Sequence, residues 1–152
     1  MERRGDAFVI MQIGEPELEK TYQRAIIPAL ERVGLAPHRV DTHNRGGVLT
    51  SEIVAFIEES DIVIADLTNE RPNCYLEVGY ALGAGRASRL VLTARRDHNP
   101  DATEHRPGSP KVHFDLAGYD ILYWDPKQPQ VFALELEKRV RRRLTLPEAR
   151  SD

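Results

Sequence analysis

Five residues near the middle of the chain, Asp61-Ile62-Val63-Ile64-Ala65, constrain the fold most. A strand with one wet face alternates apolar and polar residues. An unbroken β-branched run has both faces covered, which in practice means a parallel sheet between two layers of helices. The run ends at Asp66-Leu67-Thr68 and passes into Asn69-Glu70-Arg71-Pro72-Asn73, where Asn and Pro mark a turn and Asn73 is placed to cap a helix. Cys74 to Ala84 then reads as a buried helix of small residues. Gly79, Gly83 and Gly85 weaken that helix, so close packing or a close ligand is expected around them.

The flanking sequence repeats the strand-then-helix pattern. Ala7 to Met11 is a first apolar strand, followed by a turn at Gln12-Ile13-Gly14-Glu15-Pro16. A helix from Glu17 to Val33 carries Leu18, Tyr22, Ala25, Ile26, Ala29 and Val33 on one stripe, with a kink expected at Pro28 and a stop at Gly34. Ala36 to Val40 is a weak second strand. It leads into a polar loop, Asp41 to Gly47, and then a helix capped near Thr50 or Ser51 that runs to Glu59. Arg89 to Thr93 is a fourth strand. Residues 95–111, with three prolines, read as a mobile loop or a lid. Phe114 to Gly118 leads into a fifth strand, Tyr119 to Trp124. Gln130 to Leu144 forms the last helix, with Phe132, Leu136, Val140 and Leu144 facing the core, and residues 145–152 fray. The expectation is a single α/β domain, a flavodoxin-like or Rossmann-like three-layer sandwich whose five parallel strands run in the order 2-1-3-4-5. Ligands in such sheets bind beyond the carboxyl ends of the strands where the order reverses, here between strands 1 and 3. The loops Gln12–Gly14, Asp41–Gly47 and Asp66–Asn73 converge there.

One charge interrupts the helix after strand 3. Glu77 is the only acid or base between Arg71 and Arg86, apart from Cys74 and two tyrosines. Read from Cys74, it falls in the first helical turn, with Asn73 and Ala81 one turn to either side on the same face. A carboxylate on an apolar helix needs a partner or a chemical role. It is either hydrogen-bonded to a neighbouring loop or a catalytic group facing the crevice.

The segments Ala65-Asp66-Leu67-Thr68, Arg71-Pro72-Asn73 and Tyr75-Leu76-Glu77-Val78-Gly79-Tyr80-Ala81 resemble the nucleoside 2-deoxyribosyltransferase superfamily. That superfamily includes nucleoside 5′-monophosphate N-glycosidases and has distant TIR-type relatives. The resemblance covers roughly residues 6–94. It implies that Glu77 is a nucleophile attacking C1′ of a ribose or deoxyribose, and that the site is shared in a homodimer or larger homo-oligomer. It also implies an acidic residue near the start of the second helix, a position Glu52 fits.

Cleaving an N-glycosidic bond develops positive charge on the sugar, and the departing base must be protonated or otherwise stabilised. Glu52 and Asp66 are candidates for that second part. Asp66 could also hold a sugar hydroxyl, orient Glu77, or simply cap the turn. Candidate substrate contacts are Gln12, Gly14 and Tyr22 after the first strand, Asp41 and Gly47 after the second, and Arg71 with Asn73 before the Glu77 helix. Arg71 is placed for a phosphate at a helix N-terminus. Tyr22 could stack on a base or belong to the core stripe. Gly14 stands alone, so neither a P-loop nor a dinucleotide fingerprint is present. The five histidines lack metal-ligand spacing, and no cofactor is expected. A formal charge of −3 gives no nucleic-acid footprint. No run is long enough to span a membrane. With one cysteine and no signal-peptide pattern, a cytoplasmic location and a buried, inert thiol at Cys74 are expected. The competing functions are a nucleoside or nucleotide N-glycosidase or transferase, a TIR-like NAD hydrolase or nucleotide sensor, and a non-catalytic nucleotide-binding module.

Overall fold

In the computed structural model, residues 5–41, 49–113 and 119–147 are described, and the run at 61–65 lies in the middle strand of the sheet. The elements are β1 (Gly5–Ile10), α1 (Pro16–Thr21), a π-helical turn (Tyr22–Ile26), α2 (Ile27–Arg32), β2 (Leu35–His38), α3 (Ser51–Glu59), β3 (Ile62–Asp66), α4 (Pro72–Gly83), β4 (Leu90–Arg95), β5 (Ile121–Trp124) and α5 (Pro129–Leu144). The strands form a parallel sheet in the order β2-β1-β3-β4-β5. All five residues of β3 are buried, as its uninterrupted apolar run requires. The fold is therefore the expected α/β three-layer sandwich.

Side chains of alternate parity along the strands feed two separate cores. Val9, Ile62 and Ile64 pack with α1, the π turn, α2 and α5. Phe8, Ile10, Val63 and Ala65 pack with α3 and α4. Aromatic stacks seat two of these helices. Phe56 of α3 lies 5.0 Å from Phe8, and Phe132 of α5 lies 5.5 Å from Trp124.

The break expected at Pro28 takes a specific form. Pro28 has no N–H to donate, and its ring would collide with the carbonyl four residues back, at Arg24. The π turn occupies the residues just before it, with Ile27 N–H donating to the Tyr22 carbonyl. Widening that turn relieves the collision, so the helix continues as α2 instead of ending.

Several boundaries differ from the sequence reading. Arg71, not Asn73, holds the N-cap position of α4, because Pro72 is favourable at the first helical position. Glu77 is thus the sixth helical residue, in the second turn and not the first. β1 begins at Gly5, β2 ends at His38, and β5 begins at Ile121. A methyl group placed on Gly79 or Gly83 would meet nothing within 4 Å, so close packing within the described residues does not explain them. Gly85 has a backbone reason: at φ 77° it closes α4, its N–H donating to the Leu82 carbonyl and that of Arg86 to the Ala81 carbonyl. Gly34, at φ 82°, ends α2 as expected. Gly34→Ala should cost about 1–2 kcal/mol in urea unfolding, with the unfolding slope unchanged.

Candidate active site at the sheet edge

The carboxyl end of β3 is fastened by one carboxylate. Asp66 is 2% exposed. Its Oδ1 accepts from the Thr68 amide at 3.1 Å, and its Oδ2 from Thr93 Oγ1 of β4 and Trp124 Nε1 of β5, both at 2.7 Å. The first bond is the turn-capping role that the residue's position allowed. The other two bind the ends of three strands together. With three donors already in place and little exposure, Asp66 does not present a free oxygen to a ligand.

Beyond Asp66 the chain makes a short 3-10 turn, Thr68–Glu70, in which Asn69 and Glu70 have φ of 69° and 52°. Asn tolerates this left-handed region better than other side chains do. Asn69 is gripped from two sides. Its amide donates to His98 Nε2 at 2.8 Å, and its side-chain Nδ2 donates to Gln12 Oε1 at 2.9 Å. Since His98 Nε2 accepts, the ring carries its proton on Nδ1, which donates to Asp97 Oδ1 at 2.8 Å. Asp97 in turn takes Arg95 Nε at 2.8 Å, and Arg95 reaches Glu17 at 2.7 Å. A continuous chain of bonds thus ties the turns after β1, β3 and β4 to the start of α1.

Glu77 stands on the other side of the β3 turn. It shares the buried face of α4 with Cys74, Val78 and Ala81 and is 8% exposed. No hydrogen bond or ion pair joins it to any described residue, so the loop partner considered from the sequence is absent among them. Burial alone raises its carboxyl from the ordinary 4.5 to about 7. The Cys74 thiol beside it is pushed up to about 12, chiefly by burial and further by the carboxylates of Glu77 and Asp66, which makes it inert near neutrality.

The remaining sequence candidates divide. Arg71 is exposed at the N-terminus of α4, with Asn73 two residues on. Gln12 is oriented by Asn69, as described. The Gly14 amide is already taken by Glu19 Oε1 at 2.9 Å. Glu19 is held below the usual carboxylate range by Arg39, which bonds both of its oxygens. The same guanidinium lies 3.7 Å above the Tyr22 ring, and Tyr22 is 7% exposed within the core. The ring face is occupied, so Tyr22 belongs to the core stripe and is not open for base stacking. Asp41 is exposed. Gly47 lies outside the described residues. Glu52 is exposed at the start of α3 and lines a separate groove with Asp6, His38 and Phe56, a groove that does not include Glu77.

Sequence reasoning missed His98, Asp97 and Trp124. Within the stretch 95–111, expected as a mobile loop or a lid, the first turn buries His98 completely, and just beyond the stretch the Val112 amide donates to the His98 carbonyl at 3.0 Å. The one available signal was a histidine three residues past a strand end. Glu70 also contributes, accepting from the Lys111 amide at 2.7 Å. No described helix is long and apolar enough to cross a membrane, and no group of three or more His, Cys, Asp or Glu among the described residues could hold a metal. No family model matches the chain, and no curated protein matches it.

Trp124→Phe keeps the ring stacked on Phe132 but leaves Asp66 Oδ2 with one donor fewer. It should lower stability by about 1–3 kcal/mol in chemical denaturation, more than Tyr123→Phe on the same strand.

Proposed function

We propose that this chain cleaves or transfers the N-glycosidic bond of a nucleoside or nucleoside 5′-monophosphate, with Glu77 as the attacking carboxylate. The observation that carries this reading is a buried carboxyl poised near neutrality, without a hydrogen-bond or ion-pair partner among the described residues, on the helix that follows β3. A structural glutamate at such a site would ordinarily be compensated. A group that is instead uncompensated gains most from a ligand that develops positive charge against it.

In this reaction the ionised Glu77 attacks C1′ as the bond to the base nitrogen breaks. The bonding electron pair leaves with the base, which takes up a proton. The oxocarbenium character at the sugar supplies a counter-charge that no described residue provides, so attraction is strongest at the transition state. The glycosyl ester then passes to water, giving hydrolysis, or to a second base, giving exchange. Asp66 keeps its three donors throughout and acts by holding the crevice floor. Proton delivery to the departing base falls to solvent in this reading, since Asp66 is saturated and Glu52 lines another groove. Arg71, exposed at the α4 N-terminus, is the residue suited to a 5′-phosphate.

Incubation with a panel of nucleosides, 5′-monophosphates and NAD, followed by chromatography of free base, tests the reading. Base should be released from a nucleoside or monophosphate and not by Glu77→Gln. A labelled second base should enter the product if the enzyme is a transferase. Nicotinamide as the sole product, or release retained by Glu77→Gln, would sink the proposal. kcat/KM should fall about tenfold per pH unit below about 7, because the free enzyme must lose the Glu77 proton to attack.

The same titration has a stability counterpart with a fixed sign. Below about pH 4.5 the side chain is protonated in folded and unfolded chains alike, and no penalty exists. Between about 4.5 and 7 the unfolded chain ionises while the folded chain keeps its proton, so folding loses free energy as the pH rises. Above about 7 the loss is complete. Glu77→Gln should therefore be more stable than the native chain at pH 8, by as much as about 3 kcal/mol, and indistinguishable from it near pH 4.

A further inference from the structure

A second groove lies on the opposite helical layer from Glu77, between α1 and the turn joining β5 to α5. Its volume is about 460 Å³, within the range of roughly 300–1,000 Å³ typical of small-molecule sites. Three cations face it: Lys20 and Arg24 from the α1 side and Lys127 from the β5–α5 turn. None of the three side chains makes a hydrogen bond or an ion pair to a described residue. The two carboxylates on the rim are already engaged. Glu17 is bonded to Arg95 at 2.7 Å, and Glu15 accepts from the Leu18 amide at 2.8 Å.

Two further features point inward. Thr21 is 6% exposed yet lines the groove. A helical threonine ordinarily returns its hydroxyl to a carbonyl one turn back. The Thr21 hydroxyl makes neither that bond nor any other to a described residue. It sits where α1 passes into the π turn, an unpartnered hydroxyl on the groove wall beside three cations. On the other wall, Pro129 opens α5, whose N-cap residue Gln128 makes no side-chain capping bond, so the positive end of that sixteen-residue helix lies at the groove edge. Pro16, Pro126 and Pro129 supply apolar rings around these donors.

We propose that this groove binds a small organic phosphate ester. Ammonium, guanidinium and hydroxyl groups on two walls suit a tetrahedral oxyanion with several acceptor oxygens. A planar carboxylate uses fewer of them. The volume exceeds that of a bare phosphate, and the proline rings receive the organic part. The site shares no residue with the Glu77 crevice and operates whether or not Glu77 is a nucleophile.

Titration of the full chain with phenyl phosphate and with inorganic phosphate, at constant ionic strength, tests this by calorimetry and amide NMR. Phenyl phosphate should saturate one site, bind more tightly than inorganic phosphate, and shift the amides of Lys20, Thr21, Arg24 and Lys127. Arg24→Ser and Lys127→Ser should each weaken it about tenfold, and the near-isosteric Thr21→Val about fivefold. Glu77→Ala should leave it unchanged. Absence of saturation, equal affinity for the two probes, variants within twofold of the native chain, or loss of binding in Glu77→Ala would each overturn the proposal.

Discussion

Everything at the carboxyl edge of the sheet hangs on the buried carboxylate of Asp66. It draws a donor from its own turn, one from β4 and one from β5, and so fixes the relative heights of three strand ends. A charge this deeply buried is tolerable only with its lone pairs filled, and the protein fills them with an amide, a hydroxyl and an indole, none of which is charged. The turn that follows can then hold two residues at positive φ without drifting, since its entry is pinned by Asp66 and its middle by His98 and Gln12.

Glu77 is the counterpoint on the helix that follows that turn. Two carboxyls share one neighbourhood and are treated in opposite ways. One is satisfied inside the fold and rigidifies it. The other is desolvated and has no donor among the described residues, and its burial works against the ionised form. Placing the uncompensated group next to the most firmly braced turn is physically consistent. An open valence is useful in recognition only if the walls around it do not relax to meet it.

The architecture was legible because it rests on runs and periods. The unbroken apolar stretch at Ile62–Ala65 required a doubly covered strand, and the stripe through Phe132, Leu136 and Val140 required a helix against a core. Glu77 was legible for the opposite reason, as a single charge where the pattern had none. What escaped notice depends on contacts between residues far apart in the chain. Nothing around His98 distinguishes a solvated histidine from one buried under Asn69, and Trp124 could have been any apolar strand residue until its indole met Asp66. Tyr22 was left between two roles by its sequence, stacking surface or core stripe, and the choice rests on a distant contact: the ring face is covered by Arg39, 17 positions later in the sequence. The boundary shift at α4 was local and readable: Pro72 favours the first helical position, and its rule outranked the capping preference of Asn73.

The excursion after β4 leaves the sheet at buried His98 and is stitched back at Val112, with Glu70 holding the Lys111 amide beside that seam. Its neck is therefore closed by contacts that do not involve its far end, where Arg106, Pro107 and Gly108 are exposed. Once a neck is closed in this way, the entropy of the enclosed chain grows only logarithmically, about 0.6 kcal/mol for each doubling of length. Residues can be added or removed at that tip over the course of divergence with little effect on the strands, the Asn69 turn or Glu77. The tip is thus a place where such a chain can acquire new surface while its chemistry stays fixed.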